Sequence, residues 1–224
     1  MEPKEIINTA NQIYKKFNIP SNLIMHLYRT AAITEMIADN WIGERLDKDI
    51  LVATMLIHDL GNIVKIELDT QEGVSYFTEE DKLNLNNFKE TQKEIIERYG
   101  PNDNVVNVKI AQELGANQRI LFLINHSFKD NEETRDSKDI YLKIREYADQ
   151  RTDIDGILSI KERLQKAKNR YLLKKNKQFA IDPKFDLWVE CAIDIENQIF
   201  QYCTIKPEDI NDESIQKYID KYKK

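Results

Sequence analysis

Cysteine, glycine, proline and histidine are all scarce in this chain. Its 224 residues include two cysteines, six glycines, five prolines and three histidines. Two thiols, Cys191 and Cys203, cannot build a disulfide framework, which points to a reducing compartment and ordinary buried thiols. So few glycines and prolines argue against a many-turned β-sandwich and against disordered linkers. Long apolar runs are missing as well. The longest, Ile50 to Ile57, falls far short of the ~20 residues that span a bilayer. The opening segment, MEPKEIINTANQIYKKF, interleaves charged with apolar residues and has no signal-peptide apolar region. The expectation is a cytoplasmic protein with no membrane partner. No Gly-rich phosphate loop, Walker sequence or dinucleotide fingerprint occurs, so any nucleotide would be a substrate and not a cofactor.

What is abundant is charge, mixed with enough apolar side chain for a core. Hydrophobic residues make up 41% and charged residues 32%, with Lys+Arg 33 against Asp+Glu 39 and a formal charge of −6. An acidic balance argues against nucleic acid as a partner, because binding a phosphate backbone calls for a basic face. The length suits one domain, or one domain with an appended helical piece.

The hydrophobic pattern is helical almost throughout. Residues 3–17 read as an amphipathic helix ended by Asn18-Ile19-Pro20, and Ser21 as the N-cap of a longer helix to about Leu46. Leu23, His26, Thr30, Ile33 and Ile37 share one face of that helix. Asp49 opens a short helix, apolar on every side and so central to the core, with Gly61 as its stop. Residues 66–78 read as a loop or small lid. Helices follow at about 79–99, 103–114, 117–127 and 138–150, with the charged stretch 129–138 as punctuation. Asp153 to Gly156 reads as a turn, and helices follow from about Leu158, at 184–203 and at 207–222. No segment alternates with period two for long enough to form a sheet, so the expected fold is an all-α helical bundle.

Each of the three histidines, His26, His58 and His126, falls in a helical segment. A lone histidine on an apolar face is most often a satisfied core residue, but the company of two of them changes the reading. His58 is followed by Asp59 at the end of the most apolar helix, where an unpaired carboxylate is costly. Asp149 also lies near the C-terminal end of its helix, where the helix dipole disfavours an anion. One divalent ion held by His26, His58, Asp59 and Asp149 accounts for both placements. Two imidazoles and two carboxylates suit Mn²⁺, Fe²⁺, Co²⁺, Ni²⁺ or Zn²⁺ better than Ca²⁺, and Mg²⁺ is also admitted.

The order His, then His-Asp, then a distant Asp resembles the HD-domain superfamily of metal-dependent phosphohydrolases. The stretches that carry the resemblance are NLIMHLYRTAAITEMIA, LVATMLIHDLGN and YLKIREYADQRT, within roughly residues 20–175. The segment YADQRTDIDGILSIKERLQKAKNRY is similar to the continuation seen in one bacterial and archaeal branch of the superfamily. The resemblance implies an HD-domain-like bundle over residues 1–175, with 176–224 as a C-terminal helical extension packed on it. It implies His26, His58, Asp59 and Asp149 as metal ligands, with Asp59 also catalytic by orienting the attacking water. The implied reaction is hydrolysis of a phosphate mono- or diester, often of a nucleotide, by metal-activated water.

Two departures from the superfamily pattern matter. Many members carry Lys directly after the Gly of the His-Asp motif; here that residue is Asn62, with Lys65 nearby as a substitute for phosphate contact. Members with two metals add histidines between the His-Asp pair and the last Asp, where this chain offers only His126. One metal per chain is therefore expected. The same scarcity weighs against an oxygenase with two irons.

Several residues have two readings each. Arg29, Arg145 and Arg151 could fork onto a substrate phosphate or pair with acidic neighbours. His126 is either packed or a contact to substrate. Glu67 is either a water-orienting group or simply solvated. Aromatic residues Phe179, Phe185, Trp188, Phe200 and Tyr202 suit core packing or a homodimer contact. Lys166, Lys168, Arg170, Lys174, Lys175 and Lys177 form a basic run that is either a solvated face or an attractor of anions to the rim of the site. The alternative to an enzyme is a non-catalytic helical module that binds a nucleotide or a partner protein through a retained metal pocket.

Overall fold

The computed structural model describes residues 1–126, 131–173 and 180–224. Among these residues no strand forms. The only β-pairing among the described residues consists of two isolated bridges, Trp41 with Cys203 and Thr152 with Ile157. The architecture is all-α, as the periodicity predicts.

Helix α1 (Pro3–Lys16) lies against α3 (Lys48–Ile57), and α3 lies against α2 (Ser21–Asp39). These three form the centre of the core. Leu51, Ala53, Met55, Leu56 and Ile57 of α3 are fully buried, as are Leu27, Ala31, Ala32, Ile33 and Ile37 of α2. At about 1.5–3 kcal/mol for each large apolar side chain removed from water, this contact dominates the stability of the region. The α3 N-terminus is capped by Asp47, whose side chain accepts from the Ile50 N–H. Near its other end the buried Tyr14 hydroxyl donates to the Leu56 carbonyl at 2.8 Å, satisfying a C-terminal acceptor next to His58.

The 3₁₀ helix Leu60–Lys65 follows, then α4 (Gln71–Val74), α5 (Glu79–Leu83), α6 (Leu85–Tyr99), α7 (Asp103–Glu113) and α8 (Gln118–Asn125). The segment expected to be a loop or lid, 66–78, is a loop carrying the short α4. It is pinned by Leu68 and Phe77, which are buried against Phe88 of α6. After α9 (Asn131–Asp136) comes α10 (Ile140–Arg151), which packs on α2 and carries Asp149 in its last turn. Helices α11 (Ile160–Leu173) and α12 (Pro183–Phe200) pack on α10, and α13 (Asp212–Tyr222) closes over α2 and α1. No helix among the described residues is long and apolar enough to cross a membrane. The expected division at 175/176 lies outside the described residues, as do Lys174, Lys175, Lys177 and Phe179.

Several expected boundaries move, each for a local reason. Helix α2 ends at Asp39 rather than near Leu46, because the chain after it pairs with the C-terminal part of the fold. Ile42 N–H donates to the Tyr202 carbonyl (2.8 Å), and Thr204 N–H donates to that of Asn40 (2.9 Å). Ser21 is the first helical residue rather than the cap. Its N–H and hydroxyl donate to the buried carboxylate of Asp81, an anion from outside the helix at its positive end. The helix expected over 79–99 breaks at Asn84, which ends α5 and precedes α6. The charged stretch 129–138 contains a helix, α9. Of the aromatic residues, Phe185 is buried and Phe200 meets Tyr147 edge-on, whereas Tyr202 is exposed beside Trp41.

Gly61 does not stop α3, which has already ended at Ile57. It lies inside the 3₁₀ helix because α7 passes too close for a side chain. A Cβ there would sit 2.7 Å from the Asn107 amide nitrogen and 2.9 Å from the Asp103 carbonyl oxygen. Gly61 N–H in turn donates to the buried Asn107 Oδ1 at 2.6 Å. This close approach holds the turn that carries His58 and Asp59. Gly61→Ala is expected to destabilise the protein by about 2 kcal/mol through overpacking, lowering the melting midpoint by roughly 4–8 °C. Thermal melting followed by circular dichroism checks it.

Candidate metal centre

Three helices deliver four side chains to one point. His26 comes from the second turn of α2, His58 caps α3, Asp59 follows it, and Asp149 comes from α10. Each offers one ligand atom, and all four atoms lie within 4.8 Å of one another. His26 Nε2 is 3.2 Å from Asp149 Oδ1 and 3.5 Å from Asp59 Oδ2. His58 Nε2 is 3.6 Å from both oxygens. Ligands spread tetrahedrally about one ion, with bonds of about 2.1 Å, lie about 3.4 Å apart.

The chemistry of the donors fits a cation as well as their spacing does. His58 is buried, and its Nδ1–H donates to the Met55 carbonyl at 2.9 Å, since a carbonyl can only accept. That bond puts the neutral ring's lone pair on Nε2, the usual arrangement of a metal-ligating histidine. The Nε2 atoms of both His26 and His58 are buried and lack a hydrogen bond of acceptable geometry. Two bare nitrogens facing two carboxylates are costly for the protein alone and suit a divalent ion.

The electrostatics agree. Burial lowers the His26 pKa, but the facing carboxylates of Asp149 and Asp59 outweigh it and raise the value to about 9. Asp59 is pushed up by burial and pulled down further by His58 and His26, to about 2. Asp149 falls well below the usual carboxylate range for the same reasons. The attraction that holds a proton on His26 is available to a metal ion, which competes for the same site.

The cluster opens into a cavity of about 560 Å³. Asn62 lines it and donates its amide N–H to Asp59 Oδ2, so the residue in the usual lysine position orients the carboxylate. Lys65 also lines the cavity. Its ammonium is paired with Asp103 at 2.8 Å and lies within electrostatic reach of Asp59 and Asp149. Arg145, Arg151, Arg29 and His126 are not brought to the cavity. Arg145 is buried and its Nη1 donates to Glu146, the neighbour that does line the cavity. Arg151 donates to the carbonyls of Leu158, Pro207 and Ile210 and to the Tyr147 hydroxyl, which locks the C-terminal segment onto α10. Arg29 donates to the Ile154 carbonyl at 2.8 Å and supports the turn after α10. His126 ends α8, with its ring against Phe122 in a separate cavity beside Glu133 and Asp139. Glu67 is exposed and does not line the cavity.

The lining also contains residues the ligand pattern did not single out: Glu146 on α10, Arg163, Arg170 and Tyr171 on α11, and Trp188 on α12. The signal for the α11 residues lay in their spacing. Arg163, Ala167 and Arg170 recur at four and three, which places both guanidinium groups on one helix face.

The family model of the HD domain matches residues 23–167, more than half of the chain and a span that includes all four residues of the cluster. The chain belongs to the HD-domain family. Neither a curated protein nor a solved structure matches it. HD-domain proteins are typically metal-dependent hydrolases of phosphate compounds, and the His/Asp group of this chain is a site that could hold their divalent ion.

The wall bearing α11 is held to α10 through Asp153, whose side chain is 3% exposed and paired with Arg170 (3.0 Å), Lys166 (3.1 Å) and Arg163 (3.6 Å). Burial raises its pKa, but these cations outweigh burial and hold it below the ordinary carboxylate value. Its contribution is therefore complete above an ordinary Asp value of about 3.9 and is lost as pH falls through the lower folded value. Asp153→Asn is expected to cost about 2 kcal/mol at neutral pH. In urea unfolding from pH 8 to pH 2, the gap between wild type and variant should be constant down to about pH 4 and close below it.

Proposed function

We propose that the protein is a divalent-metal-dependent phosphohydrolase that cleaves a phosphate ester of a nucleotide or similar small molecule. The convergence of two bare histidine nitrogens and two carboxylates on a cavity lined by charged and aromatic side chains carries this reading. His26, His58, Asp59 and Asp149 would hold one ion per chain. Such an ion supplies a water of lowered pKa and positive charge for the phosphoryl oxygens. Asp59 does two tasks: Oδ2, steadied by Asn62, faces the histidines, and its second oxygen takes a hydrogen bond from the attacking water. Lys65 supplies positive charge on one side of the cavity, in reach of a phosphate bound at the cluster.

Cytoplasmic location and an HD unit over 1–175 with 176–224 as its extension belong to the same proposal. So does the absence of nucleic acid and membrane from its partners. The second reading is a non-catalytic module that binds a nucleotide or a partner protein through the same pocket. It is favoured by Asn62, which bonds Asp59 where relatives present a lysine to phosphate, and by the pairing of Lys65 with Asp103.

Two measurements test the proposal. Protein supplemented with Mn²⁺ or Co²⁺ is expected to release phosphate from at least one member of a panel of nucleoside mono-, di- and triphosphates, cyclic nucleotides and dinucleotides. Asp59→Asn should lower that rate by about 10²–10⁴-fold with the fold intact by circular dichroism. Inactivity across the whole panel favours the binding module. Elemental analysis is expected to find about one transition ion per chain, and His58→Ala to remove most of it. Two ions per chain would overturn the single-ion assignment, and none after supplementation would overturn the centre itself.

A further inference from the structure

Three cations on one face of α11 converge on a single buried carboxylate at the wall of the metal-cluster cavity. Arg170 Nη1 donates to Asp153 Oδ1 at 3.0 Å, and Lys166 Nζ lies 3.1 Å from Asp153 Oδ2. Arg163 Nε donates to the Thr152 carbonyl at 2.8 Å and lies 3.6 Å from Asp153 Oδ1. Lys166 also reaches the exposed Asp155 at 3.7 Å. Two carboxylates thus face three cations, and the surplus positive charge borders the cavity through Arg163 and Arg170.

Asp153 does not need this many partners. One carboxylate accepts one guanidinium fork well, and a second arginine brought alongside adds repulsion. Burial and the neighbouring Arg170 both pull the Arg163 guanidinium below its usual pKa, while Asp149 and Asp153 act in the opposite sense. Such crowding of like charge on a cavity wall suits an anion between or before the two groups. Tyr171 and Trp188 line the same cavity, each edge-on to the buried Phe185, and put aromatic side chains on the lining that carries the arginines.

We infer that Arg163 and Arg170 form a second anion subsite, which takes an anionic group that the substrate carries in addition to the phosphate at the His-Asp cluster. The preferred substrate is then an ester bearing two phosphate groups, its organic part resting against Tyr171 and Trp188. This rests on the phosphohydrolase reading above and narrows its substrate class. The family match ends at residue 167, so Arg170 lies beyond it.

The test uses two probes that cannot be hydrolysed, methylphosphonate and methylenediphosphonate, titrated calorimetrically into Mn²⁺-loaded full-length protein. Wild type is expected to bind the diphosphonate at least ten-fold more tightly. Arg170→Gln should close this gap to about three-fold or less with little change in methylphosphonate affinity, and Arg170→Lys should retain most of it. Arg163→Gln should act in the same direction, although the loss of its bond to Thr152 makes Arg170→Gln the deciding variant. Unchanged circular dichroism and a single cooperative melt, at a midpoint lowered by the lost partner of Asp153, establish that the variants are folded. A gap that persists in Arg170→Gln means that the metal alone holds the diphosphonate, and it overturns the subsite. Phosphate release read in parallel separates the two claims. Release without closure of the gap removes the subsite alone, whereas closure without any release removes the hydrolase reading and leaves a diphosphate-binding pocket.

Discussion

Two carboxylates held together in a partly buried site must be balanced by positive charge, and the placement of Asp59 and Asp149 makes that requirement unavoidable here. Their inward oxygens both lie 3.6 Å from His58 Nε2, so neither can be relieved by turning without giving up the histidines. The constraint is set by backbone packing. The buried face of α2, the buried body of α3 and the last turn of α10 cannot slide relative to one another without opening the core. Tyr14 and Met55 then fix the end of α3 through their bonds to Leu56 and His58. The core thus determines not only that four ligand atoms meet, but that His58 meets them with its proton on the far nitrogen.

The parts of this arrangement that a sequence can express locally were legible there. The apolar run before His58 announces a buried helix, and Asp59 at its end announces a carboxylate in need of a partner. The similarity of three stretches to HD-domain proteins joined those residues to His26 and Asp149 across more than a hundred positions. Helix boundaries were less legible where a distant segment decides them. Nothing near Asn40 predicts that Tyr202 and Thr204 will take up its neighbourhood. Nothing near Ser21 names Asp81 as its cap. Gly61 looked like a helix stop because its real cause, the close passage of Asn107, lies forty-six residues away. Arginines were the least legible. Arg151 and Arg163 differ little in local context. One turns into a nest of carbonyls from the C-terminal segment, the other borders the cavity, and only tertiary packing separates them.

The same comparison explains how an acidic protein can address an anionic substrate. Net charge sets the field at long range, where salt screens it within about 8 Å at physiological strength. Inside a cavity the local arrangement prevails, because low-dielectric walls concentrate the field of the nearest groups. Here the walls divide the work. The His-Asp side is negative and demands a cation, while the α11 side is positive through Arg163 and Arg170, with Lys65 on the rim. Between them a molecule with a charged end and a flat body has an electrostatic direction to follow.

Asp153 is the hinge of that division. A lone carboxylate on the cavity wall would repel a phosphate, and three unneutralised cations would repel each other and loosen α11. Together they place the charges so that the carboxylate is 3% exposed while the side chains of Arg163 and Arg170 remain 23% and 35% exposed. The negative partner is thereby enclosed by its own cations, and both arginines line the cavity beside it. A surface ion pair contributes little to stability, but a buried anchor with exposed counter-ions does something an exposed pair cannot. It fixes the orientation of two guanidinium groups before any ligand arrives, so that less of their freedom is lost on binding. The end of α10 and the turn after it consequently serve the cavity twice: Asp149 joins the His-Asp cluster, and Asp153, four residues later, orients Arg163 and Arg170 on the same lining.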